Sequence, residues 1–262
     1  MSLRFTILGC GSSGGVPRLG GHWGDCDPDN PKNMRRRCSL LVERDGPQGT
    51  TTALIDTSPD LRMQLLDAGV TRLDGVVYTH EHADHVHGID DLRMIVIEMR
   101  DRINVWADVP TRRALLDRFN YIFVRAEGSP YPAILTLNDL EGEVTIDGAG
   151  GPITLQPFKA NHGSIDALGF RMNDTAYLPD VAEFYDETWE ALQGLDTLII
   201  DALRRTPHPS HSHLENTLDW IARLKPKRAI ITNMHIDLDY ETLQAETPDH
   251  IQPAYDGMVI ED

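Results

Sequence analysis

Cysteine is scarce in this chain. Only three occur in 262 residues, Cys10, Cys26 and Cys38, odd in number and irregularly spaced. That excludes a disulfide framework and makes a reducing cytoplasm the expected compartment. Long apolar runs are missing too, and nothing approaches the roughly 20 residues needed to cross a bilayer. The opening Met1-Ser2-Leu3-Arg4-Phe5-Thr6-Ile7-Leu8 turns glycine-rich too soon for a secretory leader and reads as a first strand. Basic residues are outnumbered, 24 against 41 acidic ones, for a formal net charge of −17. Such a surface repels polyanions at long range, which counts against a protein that grips a long nucleic acid. A small anionic substrate stays compatible, because bound divalent cations reverse the field locally. Repeats, low-complexity tracts and linkers are absent, so one domain over 1–262 is expected.

What the chain does have is alternation. Short runs rich in Val, Ile and Leu predict strands at 4–8, 52–56, 75–79, 104–107, 154–158, 176–179, 197–201 and 228–232. Helix signals lie between them. Ser58-Pro59 offers a cap and a first-turn proline, with Leu61, Leu65 and Leu66 on one side and a stop at Gly69. Further helices are expected at 110–119, 186–193 and 214–224. Helices alternating with strands imply an α/β protein whose sheets are covered by helices. Functional residues should then sit where strands run out into loops.

Gly9-Cys10-Gly11-Ser12-Ser13-Gly14 fits a dinucleotide-binding fingerprint. That motif needs a helix to begin at once, so that its N-terminus meets a pyrophosphate. Here Gly15-Val16-Pro17 and Gly20-Gly21 follow, which no helix tolerates well. A glycine turn is the better reading, with Ser12 and Ser13 as candidate substrate contacts. The run Arg35-Arg36-Arg37 reads most simply as a solvated basic patch, with binding of phosphate or a neighbouring subunit as alternatives.

Histidine is concentrated. Of 11 histidines, four fall within eight residues: His80, His82, His85 and His87. They follow the strand at 75–79, so His80, His82, Asp84 and His85 can converge at its end. Imidazole and carboxylate suit Zn²⁺ and related cations; His87 lies outside the pattern. One loop cannot saturate two metals. Other strand ends offer His162, Asp180 and His235, each just past an apolar run.

This set resembles the metallo-β-lactamase superfamily. His80, His82, Asp84 and His85 match its H-x-H-x-D-H signature, and His162, Asp180 and His235 match its later ligands in order. The resemblance implies a four-layer αββα sandwich: two mixed sheets flanked by helices, with the site at one edge of the paired sheets. It implies that His80, His82 and His162 hold one metal, that Asp84, His85 and His235 hold a second, and that Asp180 bridges them. Two divalent ions, Zn²⁺ or Mn²⁺, are the implied cofactors. Such a pair clamps attacking and leaving oxygens and lowers the pKa of water from about 15.7 to near 7. Asp56 and Asp201, at strand ends, are candidate acceptors that fix imidazole tautomers.

Leu8-Gly9-Cys10-Gly11-Ser12-Ser13-Gly14-Gly15-Val16-Pro17 and Asn161-His162-Gly163 are similar to phosphodiesterase members rather than lactamases. The segment Asp201-Ala202-Leu203-Arg204-Arg205-Thr206-Pro207-His208-Pro209-Ser210-His211-Ser212-His213 is similar to the loop with an added histidine of the phosphoribosyl 1,2-cyclic phosphodiesterases. By that match His211 donates a proton to the leaving oxygen or binds phosphate, with His213 as competitor. Asp84 and His211 are the residues expected to act in the chemistry. Two departures stand out. The structural-zinc cysteine cluster of the phosphoribosyl enzymes keeps only Cys26 here, and a further family histidine is Leu238. The implied function is a phosphodiesterase using a dinuclear centre and metal-bound hydroxide on a small cyclic or nucleotide-like phosphodiester. A tRNA 3′-processing-type endonuclease, or a lactonase or thioesterase on the same scaffold, are the alternatives. Expected partners are the small substrate and a second copy of the chain, not a membrane or nucleic acid.

Overall fold

A computed structural model of the protein describes residues 2–262. The first half of the chain carries β1 (Arg4–Gly9), β2 (Ser39–Gly46), β3 (Gly49–Ile55), α1 (Leu61–Asp67), β4 (Gly75–Val77), α2 (Ala83–Val86), α3 (Leu92–Met99), β5 (Ile103–Ala107) and α4 (Val109–Phe123). Next come β6 (Leu135–Asp139), β7 (Val144–Ile146), β8 (Ile153–His162), β9 (Ile165–Met172), β10 (Thr175–Leu178), α5 (Asp186–Ala191) and β11 (Thr197–Asp201). The chain ends with α6 (Leu214–Leu224), β12 (Arg228–Thr232), α7 (Tyr240–Glu246), β13 (Ile251–Pro253) and β14 (Met258–Glu261).

The strands form two mixed seven-stranded sheets, ordered β14-β1-β2-β3-β4-β5-β6 and β13-β12-β11-β10-β9-β8-β7. The chain divides into two compact units. One comprises the residues up to Thr6, Ser39–Thr154 and Glu261; the other comprises Ile7–Cys38, Leu155–Ile260 and Asp262.

In the first unit β3, β4, β5 and β6 pair in parallel, and β2 pairs antiparallel to β3. Central β4 is Gly-Val-Val, buried throughout, as a strand covered on both faces requires. The pairing of Ile55 with Val77 sets Asp56 beside the turn that leaves β4. Helix α1 differs from expectation. It starts at Leu61 with Asp60 at its cap position, and Ser58 instead bonds the Gln64 side chain. Its buried face is Leu61, Gln64 and Leu65, while Leu66 is exposed. Positions i, i+3 and i+4 share a face and i+5 does not, which puts Leu66 in solvent.

In the second unit β10, β11, β12 and β13 pair in parallel, so their C-terminal ends lie on the same side. Leu178 pairs with Ile200, and Asp201 with Thr232. Three consecutive strands therefore release Asp180, Ala202 and Asn233 next to one another, where open α/β sheets carry ligands. Helix α6 spans 214–224 as expected and buries Leu214, Thr217, Trp220, Ile221 and Leu224. No helix follows the Gly9–Gly14 run, in line with the glycine-turn reading. Cys10, Cys26 and Cys38 are free and buried. Among the described residues no helix is long and apolar enough to cross a membrane.

The arginine run is not a solvated patch. Arg35 is 2% exposed, and Arg36 and Arg37 are half-buried. The run lies along the glycine turn: Gly11 donates its N–H to the Arg36 carbonyl at 2.8 Å, and Val16 and Arg35 exchange bonds at 2.9 Å. A charge count along the sequence cannot reveal such burial.

Candidate metal centre

The first unit supplies the histidine loop. Leaving β4, the chain runs through Tyr78 and Thr79 into His80, and α2 begins after His82. His80 and His85 are buried, His82 is exposed and Asp84 is half-buried. The His80 and His85 rings have centroids 4.3 Å apart, and His80 Nε2 lies 3.0 Å from His82 Nδ1. His85 Nε2 is 3.6 Å from Asp84 Oδ2. The four residues of the signature are thus brought together. His87 instead packs its ring edge against Phe119.

Asp56 organises this loop from beneath. It has left-handed backbone (φ 64°), a region Asp enters more readily than most residues. Its Oδ2 is 2.7 Å from His85 Nδ1, and it accepts from the Thr79 N–H at 2.8 Å and the Thr79 hydroxyl at 2.7 Å. Burial pushes the Asp56 carboxyl up, while His85 and the Thr79 bonds pull it back. A carboxylate on Nδ1 fixes the tautomer that leaves His85 Nε2 as a lone-pair donor.

The second unit supplies a cluster past the ends of β8, β10, β11 and β12. His162, at the end of β8, donates from Nδ1 to the Ser210 carbonyl at 2.6 Å, which again fixes Nε2 as the ligand atom. That Nε2 lies 3.9 Å from Asp180 Oδ1. The His162 and His211 rings meet edge-on with centroids 4.6 Å apart. His162, Asp180 and His211 each offer one ligand atom, all within 4.8 Å of one another. His162 Nε2 and the Asp180 carboxylate are donors of the type that a divalent cation takes, so these residues fit such a cation, with His211 beside them.

Asp201 and Asn233 brace the cluster. Asp201 Oδ2 is 2.9 Å from His211 Nδ1 and accepts from the Val181 N–H at 3.1 Å. Complete burial raises the Asp201 carboxyl, and the neighbouring His211 opposes that rise. Asn233, also left-handed (φ 59°), donates to Asp180 Oδ1 at 3.2 Å. Its place after β12 and its residue type are the only sequence signals for it. His213 occupies the cap position of α6 without making a side-chain cap bond. With His208, His211, Trp189 and Arg223 it lines a cavity of about 540 Å³.

His235 lies in the turn after β12. Its Nδ1 is 3.3 Å from Asp237 Oδ1, and its Nε2 meets the guanidinium of Arg18. Nothing in the sequence singles out Arg18 or Asp237; the backbone pairing of Val16 with Arg35 sets the course of the loop that carries Arg18. Ser12 is buried, with its N–H given to the Met234 carbonyl at 3.2 Å, whereas Ser13 is exposed.

Residues 51–236 match the family model described as a β-lactamase superfamily domain. Over its whole length the chain is 35% identical to a solved diphosphatase of the PhnP family, with a TM-score of 0.88 and 98% of that chain covered. Human tRNase Z, short form, superposes over 98% of both chains with a TM-score of 0.67 at 16% identity, a likeness of fold. An octanoyltransferase of Porphyromonas gingivalis (strain ATCC BAA-308 / W83) is 34% identical over 98% of the chain. The chain spans about half of that relative's length, 51%. The two mixed sheets with their helices are the fold of these solved structures.

Proposed function

The chain belongs to the metallo-β-lactamase superfamily, in the branch of the PhnP-family diphosphatase, and from that premise we propose that it is a metal-dependent phosphodiesterase. Its substrate is a small cyclic or nucleotide-like phosphodiester. The observation that carries the reading is the His162–Asp180–His211 cluster backed by Asp201. It combines cation ligands with an imidazole whose outer nitrogen is left for proton transfer.

By the family resemblance, His80, His82 and His162 would hold one divalent cation and Asp84, His85 and His235 the other, with Asp180 serving both. Bound there, Zn²⁺ or Mn²⁺ supplies Lewis-acid stabilisation of phosphoryl charge and acidifies water. The chain's own groups do the rest. Asp56 and the Ser210 carbonyl hold Nδ1 of His85 and His162, so both present Nε2. Asp201 holds Nδ1 of His211, which leaves His211 Nε2 as the atom that delivers a proton to the leaving oxygen. His213 and the cavity beside it receive the organic part of the substrate, and Ser13, the exposed one of the two serines, is the candidate contact kept from the sequence. The net charge of −17 favours a small substrate over RNA.

The test is hydrolysis of bis(p-nitrophenyl) phosphate with Mn²⁺ or Zn²⁺. The wild type should turn it over, and Asp180→Ala should lose on the order of 10³-fold in kcat/KM. Equal rates for the two proteins, or a preference for lactones and thioesters over phosphodiesters, would remove the reading.

A further inference from the structure

The His235 turn is held from behind by a buried cation. Arg35 is among the largest fully buried side chains of the protein. Its Nη2 donates to the Leu238 carbonyl at 2.7 Å and to Asn33 Oδ1 at 3.1 Å. Its Nη1 donates to the His235 carbonyl at 3.3 Å and faces Cys26 Sγ at 3.9 Å. One planar fork therefore grips both ends of the turn 235–238, whose own closing bond runs from the Leu238 N–H to the His235 carbonyl. A burial of this kind is costly unless the charge is well bonded. Here the bonds lead on to an acid. Asn33 donates to Asp239 Oδ2 at 2.6 Å and accepts from the Tyr240 N–H at 2.8 Å.

The surroundings are shaped to admit this arginine. A Cβ at Gly11 would stand 2.9 Å from both Cβ and the carbonyl oxygen of Arg35, too close for any other residue. The glycine turn thus keeps its backbone bare so that the Arg35 segment can pass. On the other side, the Asp25 N–H bonds the Ile236 carbonyl at 2.8 Å. Two loops distant in sequence, 23–35 and 235–239, are locked together with the guanidinium at their centre.

We propose that Arg35 is a positioning residue: through its grip on the His235 and Leu238 carbonyls it sets where the His235 imidazole stands. The inference rests on the reading of His235 as a ligand of the second cation. Lysine keeps the charge but cannot span two carbonyls from one fixed plane, so charge alone does not replace it. The segment that carries the ligand then becomes free to drift, and groups that orient a metal ligand are worth about 10–100-fold in metal affinity.

The test is stepwise Co²⁺ titration of metal-free protein, followed by visible absorbance and by metal content. The wild type should take up two equivalents. Arg35→Lys and Arg35→Met should bind the first as the wild type does and the second about 10–100-fold more weakly. Leu243→Ala, a buried truncation in α7, is the control for lost stability and should keep both equivalents. If the Arg35 variants fail to fold, Asn33→Ser removes one guanidinium partner and should weaken the second equivalent alone. Wild-type affinities in the folded variants would overturn the proposal while the two-cation reading stands. So would an equal loss in Leu243→Ala. Fewer than two equivalents in the wild type would bring down both together.

Discussion

Asp201 and Asp239 are both hydrogen-bonded carboxylates, and their surroundings drive them in opposite directions. At Asp201 burial prevails and the carboxyl rises. His211, which Asp201 orients, is the residue on which leaving-group protonation depends in the reaction we propose. His211→Gln is expected to lower kcat by about 10²–10⁴-fold, with metal uptake kept, whereas His213→Gln should stay within about tenfold on the scale of a single peripheral contact. Single-turnover rates alongside metal content separate the two. At Asp239 burial also pushes upward, but bonds from the Thr242 N–H, Asn33 and the Asp27 N–H outweigh it and bring the carboxyl down to about 2. A depressed carboxyl contributes stability above its ordinary value near 3.8 and loses it as pH falls through about 2. Asp239→Asn should therefore unfold at lower urea than the wild type at pH 7, and the gap should narrow between about pH 4 and pH 2. A gap that is constant with pH would show that the charge is immaterial.

Among the elements, the sequence showed most clearly those whose pattern is pure. The apolar runs at 197–201 and 228–232 became β11 and β12 with the same bounds, and α6 matched residue for residue. These strands, with β4 and β10, lead into the loops that bear His80, Asp180 and His235, so the loops were legible from strand ends, while the choice of ligands within them came from the family resemblance. Strand β9 was not. Its centre is Gly169, which reads as a breaker, yet the glycine is there because Phe158 on β8 pairs opposite it. A Cβ at 169 would come within 2.4 Å of the Phe158 ring. Gly169→Ala should cost about 1–3 kcal/mol by overpacking, and Phe158→Leu in the same protein should recover part of it. Additive losses in the double-mutant cycle would mean the ring is not what excludes the methyl. Arg35 escaped for a different reason. A run of three arginines carries no mark of which one is buried, and its acceptors are mostly backbone carbonyls about 200 residues away.

For the molecule as a whole, the acidic balance and the proposed cation sites are two sides of one matter. A protein of net charge −17 gathers carboxylates that repel one another, and bound divalent cations relieve that repulsion while favouring the folded state. At free metal 1,000-fold above Kd, one site contributes about 4 kcal/mol. For a protein of this size that is a rise in Tm of roughly 8–16 °C. Scanning calorimetry of metal-free protein with and without Zn²⁺ or Mn²⁺ checks it, and Asp180→Ala should flatten the response. No midpoint shift would mean that the native fold does not bind the metals in preference to the unfolded chain.

The second unit is assembled from two stretches that the ribosome delivers far apart in time. Residues 7–38 emerge early, yet their partners come more than 200 residues later: the Met234 N–H bonds the Cys10 carbonyl, and the Gly257 N–H bonds the carbonyl of Ile7. At ordinary elongation rates, the interval between residue 154 and residue 260 is about 5–20 s. Throughout it, the Arg35 segment waits for the turn it will hold, and the His162, Asp180 and His211 donors are laid down before their scaffold closes. The nascent chain can thus complete most of its first unit while the stretch that carries His162, Asp180 and His211 is still unmade.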